Sequence, residues 1–128
     1  MFATNAYKSF AKDTKVKAVS PIGLVVTLYD GCIGEMKRSI IHMNMGQISE
    51  KFVAMQHAVR IIQEGLIAGL DPKYNRELCE LLRDNYQFVV SHLIVGVSQN
   101  DQKKINDCIE IMEQLKSSWV ELEKGLKV

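Results

Sequence analysis

The sequence predicts an all-α protein, an antiparallel up-down four-helix bundle preceded by a flexible N-terminal arm. Three observations lead there. Apolar residues recur at three- and four-residue steps through four long segments, the helical period. The two prolines, Pro21 and Pro72, stand at segment edges, where helices begin or chains turn. The connections between segments are short, which favours antiparallel neighbours. With 128 residues the chain fits one core, divided as an arm over 1–19 and a bundle domain over 20–128.

The first helix opens at Ser20-Pro21, a capping serine followed by a first-turn proline, and runs from about 21 to 45, stopping at Gly46. The second fits Ser49 to Ala68, with Phe52, Met55, Val59, Ile62 and Leu66 on one face and Gly69 at its end. Leu70-Asp71-Pro72 breaks the chain. The third spans about Asn75 to Val97 through Leu78, Leu81, Leu82, Phe88, Val89 and Leu93. Its second half is rich in β-branched residues, but a lone strand would leave its backbone groups without partners, so helix is the better reading. Asn100-Asp101 supplies a turn and a new N-cap for the fourth helix, about 101 to 124. That helix carries the seam Ile105, Cys108, Ile109, Met112, Leu115, Trp119 and Leu122, and is expected to close at Gly125.

Composition narrows the function. Sixteen basic against fifteen acidic residues give a net charge of +1, and no basic face with interleaved aromatics points to nucleic acid. No stretch reaches the roughly 18 apolar residues needed to cross a bilayer, and the N-terminus lacks the apolar run of a signal peptide. Cys32, Cys79 and Cys108 are too far apart for a zinc knuckle and odd in number, which fits a reducing compartment; the expected location is the cytosol. Carboxylate-bridged metal bundles place His three residues after Glu, whereas Glu35, Glu50 and Glu64 are followed there by Arg38, Val53 and Ile67. No phosphate loop, nucleophile elbow or zinc-protease helix motif occurs. The expectation is therefore a non-enzymatic protein with no cofactor and no metal. Two alternatives remain at this level: a metal-binding or enzymatic bundle using His42, His57 or His92 with the thiols, and a self-associating structural bundle.

Helix one spreads Ile22, Leu24, Val25, Val26, Leu28, Tyr29, Cys32 and Ile33 over an arc of roughly 200° at about 100° per residue. A core-facing stripe needs little more than about 100°. Helix three is apolar over a wider arc still in its second half. The surplus predicts a groove on helices one and three able to receive an amphipathic or extended segment of another protein. The arm carries Lys8, Lys12, Lys15 and Lys17 with Phe2, Tyr7, Phe10 and Val16 as isolated anchors, and is a candidate cover for that groove. Gly31, Gly34, Gly65 and Gly96 fall inside helices, where each costs about 1 kcal/mol relative to Ala; close backbone approach is the expected compensation.

Tyr7 and Phe10 in a polar arm, Ala18-Val19-Ser20-Pro21, Leu24 and Leu28-Tyr29-Asp30-Gly31 resemble the N-terminal signature of the flagellin-specific flagellar export chaperones, the FliS family. The run from Ile61 to Asp71 is similar to the end of the family's second helix, and Trp119 falls at its late aromatic position. The resemblance covers essentially the whole chain. It departs at Asn85-Tyr86-Gln87-Phe88, where the family commonly has Leu-Tyr-Asp-Tyr. It implies a cytoplasmic chaperone that binds the C-terminal segment of flagellin, prevents premature polymerisation and assists delivery to the type III export gate, with no nucleic acid and no membrane insertion. The residues expected to carry partner binding are Tyr7 and Phe10 as arm anchors, Ile22, Leu24, Val26, Leu28, Tyr29 and Ile33 as groove or core, and Asp30 as a nearby polar contact.

Overall fold

A computed structural model describes residues 20–126. Its elements are α1 (Pro21–Asn44), α2 (Ile48–Arg60), a π-helical segment (Ile61–Ile67), α3 (Arg76–Ser98) and α4 (Gln102–Leu126). Each boundary has a local chemical cause. The Ser20 hydroxyl accepts from the amide of Gly23 at 3.0 Å, with Pro21 in the first turn. The far end of α1 is a Schellman turn: Gln47 N donates to His42 O, Gly46 N donates to Met43 O, and Gly46 takes φ +70. Asn75 caps α3 by accepting from Leu78 N at 3.0 Å.

The turn between α3 and α4 repeats the Schellman pattern with asparagine in place of glycine. Asp101 N donates to Gly96 O, Asn100 N donates to Val97 O, and Asn100 sits at φ +54, which asparagine tolerates better than most residues. Asp101 then caps α4, accepting from Lys104 N at 3.2 Å. Lys51, only 5% exposed, reaches this turn from α2. Its ammonium donates to Val97 O at 3.0 Å and to Asn100 Oδ1 at 2.7 Å, and lies 4.9 Å from the centre of the Phe52 ring. A cation at a helix C-terminus meets the negative end of the helix dipole, so the burial of this charge is compensated without a carboxylate.

Two of the expected boundaries are corrected. The second helix is not uniform to Ala68: from Ile61 the winding loosens to i→i+5 bonding, as in Ala68 N to Gln63 O at 3.2 Å. α4 does not close at Gly125 but runs through it to Leu126. The glycine expectation divides. At Gly96 an added Cβ would lie 3.0 Å from Lys104 Cβ and 3.1 Å from Ile105 Cγ1, so α4 approaches the backbone of α3 as closely as glycine permits. At Gly34 nothing lies within 4 Å.

α1 packs closely along both α2 and α4, whereas α3 packs more loosely, on α4 and, to a similar extent, on α2 with its π-helical segment. α1 and α3 are therefore diagonal partners that barely touch, and the expectation of one groove shared by helices one and three is corrected on that ground. The core is built around Tyr29, Met36, Ile62, Leu66, Tyr86, Leu93, Ile105 and Met112, all fully buried. Tyr29 and Tyr86 join their hydroxyls across it, and the Trp119 indole donates to the Tyr29 hydroxyl at 3.3 Å, so these buried polar atoms are satisfied. Cys32 and Cys108 are buried free thiols directed at the carbonyls of Ala58 and Val89. Burial raises both thiols above their ordinary range, Cys108 to about 12, which suits core packing and not nucleophilic chemistry.

Candidate partner-binding groove between α3 and α4

The buried side of α3 is Cys79, Leu82, Tyr86, Val89, Leu93 and Val97. Beside it runs a second row that the bundle does not cover. Leu78 is 47% exposed and Leu81 59%, and Phe88 and Val95 also face solvent. Because α4 lies antiparallel against α3, the N-terminal part of this row meets the C-terminal part of α4. The result is a groove of about 260 Å³ walled by Leu78, Leu81, Leu82 and Asn85 on one side and Leu115, Ser118, Trp119 and Leu122 on the other. Leu122 is itself 49% exposed. Further along α3 the Phe88 ring stacks on His92, with centroids 4.9 Å apart, and His92 Nε2 stands 3.9 Å from Asp107 of α4.

Two other hollows have different linings. One between α1 and α2 is edged by Glu35, Arg38, His42, Glu50 and His57. Another beside the loop before α3 is edged by Lys73, Arg76, Glu80 and Arg83. The first also carries Val53 and Ala54 and the second Pro72 and Cys79, but neither is lined by a leucine or a tryptophan. The α3–α4 groove combines exposed leucines with an aromatic wall, the composition that accepts the apolar face of another protein.

The partner residues expected from the sequence separate into three groups. Leu28, Tyr29 and Ile33 are buried in the core, where a guest does not reach them in this conformation. Ile22, Leu24 and Val26 are half-buried on the first turns of α1. Asp30 is exposed and pairs with Lys116 at 2.6 Å, tying α1 to α4. Tyr7 and Phe10 lie outside the described residues. The histidines do not converge: His42 bonds Gln47, His57 faces Glu35 and His92 stacks on Phe88. Sequence reasoning placed the groove on helices one and three, which scarcely touch, and so missed Leu78, Leu81, Asn85, Leu115, Trp119 and Leu122 as one wall-to-wall feature. A signal was present, since α3 carries apolar residues on two adjacent rows and only one can face its own core.

A small helical bundle with a closed core and an apolar trough on its outer face offers a surface of the kind on which helical bundles receive segments of other proteins. Comparison with known families makes the assignment specific. Residues 3–126 match the family described as "Flagellar protein FliS", and the chain belongs to that family of flagellar secretion chaperones. The flagellar secretion chaperone FliS of Salmonella typhimurium is 25% identical over 125 residues, covering 95% of this chain and 93% of the relative. That of Escherichia coli is 27% identical over 118 residues, covering 92% and 87%, and that of Vibrio cholerae is 29% identical over 114, covering 89% and 83%. No helix among the described residues is long and apolar enough to cross a membrane.

Proposed function

We propose that this protein binds the C-terminal segment of flagellin in the bacterial cytoplasm, keeps it from polymerising, and assists its delivery to the flagellar type III export gate. The guest segment orders as an amphipathic helix in the α3–α4 groove. The observation that carries this reading is the row of exposed leucines facing Trp119 in a bundle whose core is otherwise closed. Part of the contact energy is consumed in ordering the guest, which keeps the complex releasable.

The arm over residues 1–19 fits the same mechanism as a displaceable cover anchored by Tyr7 and Phe10. It joins the bundle at Ser20, whose hydroxyl donates to Glu123 at 2.9 Å, next in α4 to the groove residue Leu122. Nineteen residues leaving from this end of the bundle have ample length to reach the groove and run along it. Their lysines also complement the acidic residues on its rim.

Trp119 is the chain's one tryptophan and forms part of the groove wall, so its fluorescence reports occupancy directly. Titration with a peptide from the flagellin C-terminus is expected to change that fluorescence, while circular dichroism records a gain of helix. Absence of both changes at high micromolar peptide overturns the reading.

A further inference from the structure

We infer that the guest of the α3–α4 groove is a helix with a heptad seam, one polar side chain placed opposite Asn85, and basic residues along its flanks. This rests on the groove being the partner site. Leu78, Leu81, Asn85, Phe88, His92 and Val95 follow one another at steps of 3, 4, 3, 4 and 3 residues. That is the alternation by which one helix receives another in a left-handed coiled coil. α3 thus carries two seams, one consumed by its own bundle and one left for a partner.

Asn85 is the polar member inside the apolar stretch of that seam. Its Nδ2 donates to Leu81 O at 2.8 Å. A carbonyl can only accept, so this bond fixes the amide with Oδ1 turned away from its own helix. Among the described residues that oxygen has no hydrogen-bond partner. A purely apolar helix laid over it would strip its water and return nothing, whereas a guest carrying a donor at that level satisfies it. Asparagine at a seam position is a device for setting register at some cost in affinity.

The flanks supply the charge preference. Glu77 precedes Leu78, Asp84 precedes Asn85 and Glu121 precedes Leu122, so all three lie on the solvent edge of the groove, and all are exposed. Glu121 is partly offset by Lys124 at 3.6 Å. Gln114 takes the remaining corresponding position beside Leu115, so these four positions hold three acidic residues, one of them paired, and no basic one. A guest with lysine or arginine flanks is attracted and one with acidic flanks is repelled.

The test uses the full chain and two designed peptides about three heptads long, with leucine seams and lysine flanks, identical except for Asn or Leu at the position facing Asn85. Trp119 fluorescence gives both affinities for the native protein and for Asn85→Leu. The ratio of Asn-peptide to Leu-peptide affinity is expected to fall by at least about tenfold in the variant. A ratio that is the same in both proteins overturns the register role. A third peptide with glutamate flanks is expected to bind at least about tenfold more weakly than its lysine counterpart at low salt, and to approach it at high salt; equal binding overturns the charge preference. The flagellin C-terminal peptide is titrated in parallel. If it fails while the designed peptides show the coupling, the groove chemistry stands and the flagellin reading falls; if no peptide binds, both fall.

Discussion

α1 and α3 are helices of nearly equal length and similar apolar content, set at diagonal corners of the bundle, and they meet opposite fates. α1 has a neighbour on each flank, and ion pairs from Asp30 to Lys116 and from Lys37 to Glu113 close its border with α4. α3 also has two neighbours, α4 and the second helix, but packs on both less closely, and its outer row of Leu78, Leu81, Phe88 and Val95 meets water. The width of an apolar arc therefore does not say whether a face is spare. What decides is how closely the neighbours pack over it, and that is a property of the corner the helix occupies.

The sharpest way to break this contrast is a matched pair of truncations. Leu28 in α1 is 4% exposed and Leu81 in α3 is 59% exposed. Leu28→Ala is expected to cost about 2–5 kcal/mol of unfolding free energy in urea, with a cavity left behind. Leu81→Ala should change stability by no more than about 0.5 kcal/mol. It should nevertheless weaken the flagellin peptide severalfold in the Trp119 titration. A Leu81→Ala protein as unstable as Leu28→Ala would show that the outer row is part of the core. By the same reasoning, loss of partner binding in Tyr29→Ala reports a damaged core, because Tyr29 is fully buried.

Next in size is Lys51→Ala, which removes the donor shared by Val97 O and Asn100 Oδ1 and is expected to cost about 2–3 kcal/mol. Amide hydrogen exchange should then rise first at the α3–α4 turn. Unfolding monitored between pH 8 and 11 offers a comparison in which the folded state holds the thiol protons of Cys32 and Cys108 more tightly than the unfolded chain does. Their contribution is complete below the unfolded thiol range and is lost as pH rises towards about 12, the value for Cys108. Stability should fall with a slope of at most about 1.4 kcal/mol per pH unit for each thiol. A Cys32→Ala/Cys108→Ala protein should show a shallower slope.

The smallest contrast sets two helical glycines side by side. Gly96→Ala would press a methyl onto Lys104 and Ile105 and is expected to destabilise by about 1–3 kcal/mol. Gly34→Ala meets open space and should stabilise by up to about 1 kcal/mol. Thermal unfolding of the two variants in opposite directions would support the close approach of α4 to α3 at Gly96 alone.

Much of the fold was legible because its punctuation is chemical. Ser20-Pro21, Gly46, Asn75 and Asn100-Asp101 each act within a few residues of their own position, so a linear reading finds them. The loosened turn at Ile61–Ile67 was not legible: no proline or turn residue announces it, and it emerges from how α2 meets its neighbours. The groove was half legible. The surplus apolar face of α3 was visible, but assigning it to a partnership with α4 required knowing which helices stand adjacent. Lys51 was missed altogether, since a lysine in an amphipathic helix reads as solvent-facing unless its distant acceptors are known.

The i→i+5 bond from Ala68 to Gln63 holds one residue more per turn than ordinary winding needs. Excising a single residue between Ile61 and Ile67 would tighten the coil while leaving the Asp71–Asn75 connection and everything after it in phase. Chain length is thus adjustable by one unit at this point, an expansion joint between the first half of the molecule and the second.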